Sequence, residues 1–248
     1  MTDLTNPLDF SGQTVLVVGG SSGIGNGIAQ SFRAQGAEVH IWGTRATAGD
    51  YANVDGSDLE GLHYAQVDVS DPAAIMNWQA PFDRLDVLVL SQGIVRYKRQ
   101  EFQPESFAEV VNINLNSLMA CATRFEKQLQ AVQGRLIIVS STAAYHATKG
   151  NPAYGASKTG AMGLTRTLGQ AWGGRGIRVN GIAPGMVPTK LTAITTENPQ
   201  RAQGTMDRIP VGRFGTPADM AGVALFLASP LSAYVVGQTI IVDGGLIL

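Results

Sequence analysis

The chain has 248 residues, of which 44% are apolar and 15% charged, with a net charge of −1. That balance describes a compact chain with no compositional sign of disorder, and near-neutrality argues against nucleic acid or an anionic membrane surface as the main partner. The lone cysteine, Cys121, allows no internal disulfide. The opening residues carry no basic-then-apolar leader, and no apolar run approaches the roughly 20 residues of a membrane helix. His40, His63 and His146 show no metal-ligand spacing. A cytoplasmic, single-domain protein without a metal is expected.

Strand-length apolar runs alternate with helical patterns along the chain. TVLVVG at 14–19 reads as the first strand, and the helix after it sets Ile24, Ile28 and Phe32 four apart on one face. AEVHIW at 37–42, LHYAQV at 62–67 and LDVLVL at 85–90 follow as strands two to four. One long helix is expected from about 104 to 132, on the stripe Phe107, Val111, Leu115, Leu118, Ala122, Phe125 and Leu129. Cys121 falls inside this pattern and reads as a packed thiol. RLIIVS at 135–140 is the fifth strand. A helix from Pro152 to about Gly173, the strand IRVNGIA, a helix with a Thr216-Pro217 start and the strand QTIIVDGG complete the order. Near-continuous apolar strands between helices indicate α/β architecture: a doubly wound, seven-stranded parallel sheet with helices on both faces, in one domain. The polar stretch 190–215 reads as irregular, with a substrate lid at about 190–209.

The first strand runs into GGSSGIGNG, with Gly19, Gly23 and Gly25 between a strand and an amphipathic helix. A dinucleotide pyrophosphate needs such a sharp turn, close backbone approach and free N–H groups at a helix start. Gly19, Ser21, Ser22, Gly23, Ile24 and Gly25 are therefore candidate cofactor contacts. Asp68 and Val69 end the third strand, where ligands of doubly wound sheets gather, and the Asp68 carboxylate suits an adenine amino group. Asp71, before Pro72, reads instead as a helix cap.

AYHATKGNPAYGASKTG, at 144–160, contains Tyr-x-x-x-Lys twice. A tyrosine and a lysine at that spacing share a face only in a helix. Gly150 and Pro152 prevent a helix through Tyr145 and Lys149. Pro152 instead opens the next helix, which carries Tyr154 and Lys158 on one face. Ser141, at the preceding strand end, can reach the same pocket.

Together these residues resemble the short-chain dehydrogenase/reductase family over essentially the whole chain. The matching features are the Gly19/Gly23/Gly25 loop, Asp68, VNINL, Ser141, Tyr154, Lys158, APGMVPT and the ending GQTIIVDGG. The resemblance implies a Rossmann-type sheet, a nicotinamide cofactor and hydride transfer at a carbonyl or alcohol carbon. By motif position it implies a catalytic set of Asn114, Ser141, Tyr154 and Lys158, with Pro184, Gly185, Val187 and Thr189 at the nicotinamide end. It also implies Lys158 on the nicotinamide ribose, Asn114 supporting a water relay, and packing of the 152–173 and 104–132 helices into a homotetramer. Within the family the chain looks most like the 3-oxoacyl-thioester reductases, on patterns such as IPVGRFGTPADMA. Three features depart from the family: Val18 stands where threonine is usual, LSQG at 90–93 keeps only Gly93 of Asn-Asn-Ala-Gly, and the helix between strands three and four is short.

As an acid, Tyr154 would protonate the substrate oxygen while Ser141 hydrogen-bonds it. A free tyrosine has a pKa of about 10, which Lys158 and an oxidised nicotinamide should lower. At the end of the second strand, Gly43, Thr44 and Arg45 replace the acid that holds a ribose 2′-OH in NAD users. NADP(H) is therefore favoured over NAD(H), with Thr44 and Arg45 at the 2′-phosphate. Arg96, Tyr145, His146 and Met186 are the expected substrate-pocket residues. The competing reading is a catalytically silent NAD(P)-binding sensor or subunit.

Overall fold

The computed structural model describes residues 5–248; residues 1–4, part of the stretch read as lacking a leader, lie outside the described residues. Seven parallel strands form one sheet: β1 (Thr14–Val18), β2 (Glu38–Gly43), β3 (His63–Gln66), β4 (Val87–Leu90), β5 (Arg135–Val139), β6 (Arg178–Pro184) and β7 (Thr239–Val242). Their order is β3-β2-β1-β4-β5-β6-β7. The chain winds outward from β1 to β3, then returns to β4 on the other side of β1. That reversal opens a crevice above the carboxyl ends of β1 and β4, where such sheets bind ligands.

Alternation along each strand feeds two cores. Val15 and Val17 of β1 point to one face, with Ile28 and Phe32 of α1 (Gly23–Ala34) and Met220 and Ala224 of α8 (Pro217–Ala228). Leu16 and Val18 point to the other, with Leu118 and Phe125 of α4 (Ser117–Ala131) and Leu168 of α5 (Pro152–Gly173). Burying one such side chain contributes roughly 1.5–3 kcal/mol. Cys121 is buried in this second core, and burial pushes its thiol up to about 12, as a packed thiol requires. Asp71 caps the short α2 (Pro72–Asn77) by accepting from Ala73 N–H at 2.8 Å. Among the described residues no helix is long and apolar enough to cross a membrane.

Two elements differ from expectation. The single helix expected over 104–132 is α3 (Pro104–Val111), a π-helical turn at Asn112–Asn116, and α4. The wider turn rotates the stripe: Leu118, Ala122, Phe125 and Leu129 stay buried, Val111 and Leu115 are half-buried, and Phe107 is 40% exposed. The segment read as irregular holds α6 (Ala193–Thr196) and α7 (Pro199–Met206). Asn198 caps α7 by accepting from Arg201 N–H, and Pro199 fills its first position.

Parallel register also sets His40 opposite His63, with their rings stacked at 4.7 Å and Glu38 bonded to His40. The ligand atoms of these three lie within 4.8 Å of one another. Strand pairing thus brings together histidines that looked scattered in sequence. They sit at the amino ends of β2 and β3, away from the crevice.

Candidate active site

The glycine loop leaves β1 and enters α1 at the crevice. Gly19 has φ +76°, and a Cβ there would sit 2.9 Å from the Gln92 backbone; a Cβ on Gly25 would collide with the Gly19 carbonyl. Only glycine fits both places, so the bare backbone faces the crevice. The Ser22 side chain makes no cap, and no acid occupies the first turn of α1. One N–H at the helix start is already engaged, however: Gly23 donates to Gly56 O at 2.7 Å. The 53–56 segment, which carried no sequence signal, folds over the loop and lines the same cavity.

This cavity, about 1020 Å³, is bounded by every residue expected to hold the cofactor. From β1 and α1 come Gly19, Ser21, Ser22, Gly23, Ile24 and Gly25, and from the ends of β2 and β3 come Thr44, Arg45, Asp68 and Val69. Gly93 lies beyond β4, Tyr154 and Lys158 on α5, and Pro184, Gly185, Val187 and Thr189 around the end of β6. The Tyr51 hydroxyl accepts from the N–H groups of Thr44 and Arg45. The Arg45 guanidinium lies over the Tyr51 ring at 4.8 Å and bonds Asp50 O. No acid stands at Gly43. Gln92 is buried, donates to Ser117 Oγ at 2.9 Å, and leaves its Oε1 without a partner among the described residues. It lines the cavity where the family's asparagine is missing. Backbone that admits no Cβ, a cation with no ion pair among the described residues near the end of β2 and an orphaned buried acceptor together suit a dinucleotide.

Pro152 opens α5, and Tyr145 and Lys149 fall in the loop before it. Tyr145 is 41% exposed and its hydroxyl turns to Thr239 O at 3.4 Å. Tyr154 and Lys158 instead face inward. Lys158 is buried, its Nζ 5.7 Å from the Tyr154 ring centre and donating to Val139 O at 2.9 Å. The Ser140 hydroxyl donates to Lys158 O, joining the end of β5 to α5. Ser141 Oγ accepts from Ala143 N–H and acts on Tyr154 to lower its pKa. Asn114, fully buried in the π turn, donates to Ile94 O at 2.9 Å and to Ser157 Oγ at 3.2 Å, and accepts from Ile94 N–H at 2.7 Å. A Cβ on Gly93 would lie 3.4 Å from both Asn114 Oδ1 and Lys158 Nζ, so these groups flank one gap.

The electrostatics correct one expectation. Burial raises the Tyr154 pKa above 10; Ser141 lowers it, and the charges of Tyr97 and Glu101 raise it further. Lys158 is not among the groups that shift Tyr154 in this structure; its own burial pushes it down to about 8, and one of its three N–H groups donates to Val139 O.

Glu101 was missed in sequence. Its carboxylate is 0% exposed and accepts from Arg96 N–H and Tyr154 N–H, both at 2.9 Å, and from Asn151 Nδ2 at 3.3 Å. Asn151, at the cap position of α5, makes no side-chain cap, so Glu101 supplies one from 53 residues away. No local pattern encodes that contact. Glu101→Gln keeps the shape, removes the charge and leaves a backbone N–H poorly matched. The urea midpoint should fall by the equivalent of about 1–3 kcal/mol. The Tyr154 ionisation should move to lower pH in a ring-labelled tyrosine NMR titration, because a negative neighbour that disfavoured phenolate is gone. An unmoved ionisation would restrict Glu101 to capping.

A second cavity of about 600 Å³ adjoins the first, and Ser141, Tyr154 and Gly185 border both. Of the expected pocket residues, His146 and Met186 line it. Arg96 and Tyr145 do not: Arg96 is drawn over α3 into an ion pair with Glu109, and Tyr145 turns toward β7.

A family model described as enoyl-(acyl carrier protein) reductase matches residues 18–247. The chain is 37% identical to the 3-oxoacyl-[acyl-carrier-protein] reductase of Chlamydia pneumoniae, over 95% of this chain and 97% of that one. It is 35% identical to the 2-dehydro-3-deoxy-D-gluconate 5-dehydrogenase of Bacillus subtilis, over 98% and 97% of the respective chains. Among solved structures, a gluconate 5-dehydrogenase from Burkholderia cenocepacia in complex with NADP and tartrate matches with a TM-score of 0.85 and 29% identity, over 96% of this chain and 98% of that one.

Proposed function

Since this chain belongs to the short-chain dehydrogenase/reductase family, we propose that it reduces a carbonyl or oxidises a secondary alcohol with NADP(H), using Tyr154 as the acid and base. The observation that carries the reading is the junction of the two cavities at Ser141 and Tyr154. NADPH, when bound along the larger cavity, supplies the hydride. Tyr154 then gives its proton to the substrate oxygen, and Ser141 hydrogen-bonds the same oxygen. A phenol held above pH 10 stays protonated at neutral pH, which suits the donor in reduction. Lys158, at about 8, carries charge at neutral pH and serves Tyr154 and the cofactor ribose together. Asn114 holds the β4 loop and α5 at the spacing a proton relay past Lys158 needs. Its side-chain bonds to the Ile94 backbone and to Ser157 Oγ support that role.

Following NADPH absorbance with a panel of ketones tests the reading. Consumption with at least one ketone is expected. Tight NADPH binding without consumption of any would favour the silent sensor. With Gly43, Thr44 and Arg45 lining the larger cavity and no acid at Gly43, Arg45→Ala should raise the Michaelis constant for NADPH and leave that for NADH nearly unchanged, and an equal effect on both would overturn the 2′-phosphate role of Arg45.

The 190–209 segment is read as the substrate lid, supported by its place beside both cavities. The Tyr97 hydroxyl bonds Leu191 O and marks one tether. A homotetramer is retained as the assembly, and α5 carries Gly155, Gly160 and Gly163 along its length. A Cβ on Gly155 would meet Thr148 and one on Gly160 would meet Leu115, so both pack inward; Gly163 alone of the three faces open space. Exposed Phe107 and Met119 add apolar surface on α3 and α4. Light scattering at micromolar concentration should give the tetramer mass; a monomer mass would refute the assembly.

A further inference from the structure

The smaller cavity has a distinctive charge. Among the side chains that line it, Arg208 alone carries a permanent charge, and no carboxylate side chain is among them. Arg208 follows α7 and precedes Ile209, a buried residue that ties this stretch to the body. Its guanidinium makes no hydrogen bond or ion pair with any described residue, the C-terminal carboxylate included. Arg84, Arg96, Arg175 and Arg213, by contrast, each hold a carboxylate. Thr195 and Thr205 line the same wall, and their hydroxyls likewise have no described partner. An unneutralised planar donor fork on a cavity wall matches a carboxylate in two parallel hydrogen bonds, and free hydroxyls beside it match substrate hydroxyls.

We propose that Arg208 is a specificity-determining residue that binds the carboxylate of a hydroxylated keto acid, with Thr195 and Thr205 on its hydroxyls. This rests on the reading above that Ser141 and Tyr154 meet the reacting carbon. The substrate class is then an aldonic acid or its keto form, and neither an uncharged polyol nor an acyl thioester. Because Arg208 lies in the segment read as the lid, a bound carboxylate would also draw that segment onto the substrate.

Calorimetric titration of the NADP-loaded protein with an aldonate and with the corresponding alditol tests the anchor without requiring turnover. The wild type should bind the aldonate better than the alditol. Arg208→Met should weaken aldonate binding about 10- to 100-fold, the range of a charge-assisted hydrogen-bonded contact, and leave the alditol unchanged. Arg208→Lys should restore part of the loss. In kinetics the same variant should raise the Michaelis constant for a keto acid and leave turnover nearly intact. Aldonate binding that Arg208→Met does not alter, or a wild type that prefers the alditol or an uncharged acyl thioester, would overturn the proposal. Arg208-dependent aldonate binding without any turnover would support the anchor and count against the catalytic reading alone.

Discussion

Tyr154→Phe should lower turnover by at least about 10²–10⁴-fold, the effect typical of a lost general acid or base, while the protein folds and binds NADPH. The substitution removes one hydroxyl and keeps the ring, and the helix that carries it is capped through the Tyr154 backbone N–H by Glu101, not through the side chain. The loss should therefore appear in chemistry and not in the unfolding midpoint. Tyr145→Phe is the matched control. Its hydroxyl lies outside both cavities and touches Thr239 O only at 3.4 Å, so turnover should stay within about tenfold of the wild type. Lys149, exposed in the same loop, should be replaceable by alanine with no effect. A crippled Tyr145→Phe with an active Tyr154→Phe would reverse the assignment of the two Tyr-Lys pairs.

Lys158→Ala should damage both turnover and cofactor binding, because one ammonium serves tyrosine and ribose. Alanine would also strand Val139 O, which now accepts from Nζ, at a cost of about 1–3 kcal/mol. Lys158→Met separates the two effects by keeping bulk without charge. Burial holds the folded-state pKa of Lys158 at about 8, against 10.5 for the free side chain. Between those values the unfolded chain binds the extra proton, so the wild type gains stability as pH rises from about 8 toward 10.5. Lys158→Met should lack that gain in urea unfolding followed across the window. An identical pH dependence in both proteins would mean that burial does not lower the Lys158 pKa.

The features that sequence revealed are local. Gly19 and Gly25 are forced by turn geometry and close approach within seven residues of chain, and both sites behave as the spacing implied. Gly150 and Pro152 break a helix wherever they fall, so Tyr154 and Lys158 could be separated from Tyr145 and Lys149 before any tertiary information. Apolar strands fixed the layers for the same reason. What escaped was tertiary or depended on a small shift of register. The π turn at Asn112–Asn116 needs only one extra residue per turn, which steps of three and four cannot display. Glu101 looks like a solvated acid until α5 is laid against it. Arg96 was a reasonable pocket residue by position, and Glu109 captured it from a helix away. His40 and His63 meet only because β2 and β3 are paired in one register. The caps of α7 were legible in Asn198-Pro199, and the polarity of the segment hid them.

Transfer of deuterium from nicotinamide-labelled NADPH to the carbinol carbon of the product is the most direct test of hydride transfer at the Ser141–Tyr154 junction. The wild type should place the label on that carbon of a reduced ketone, and Tyr154→Phe, with NADPH bound as tightly, should place it there at least about 10²-fold more slowly. Label that never reaches the carbon in the wild type, or reaches it equally fast in Tyr154→Phe, would contradict the account.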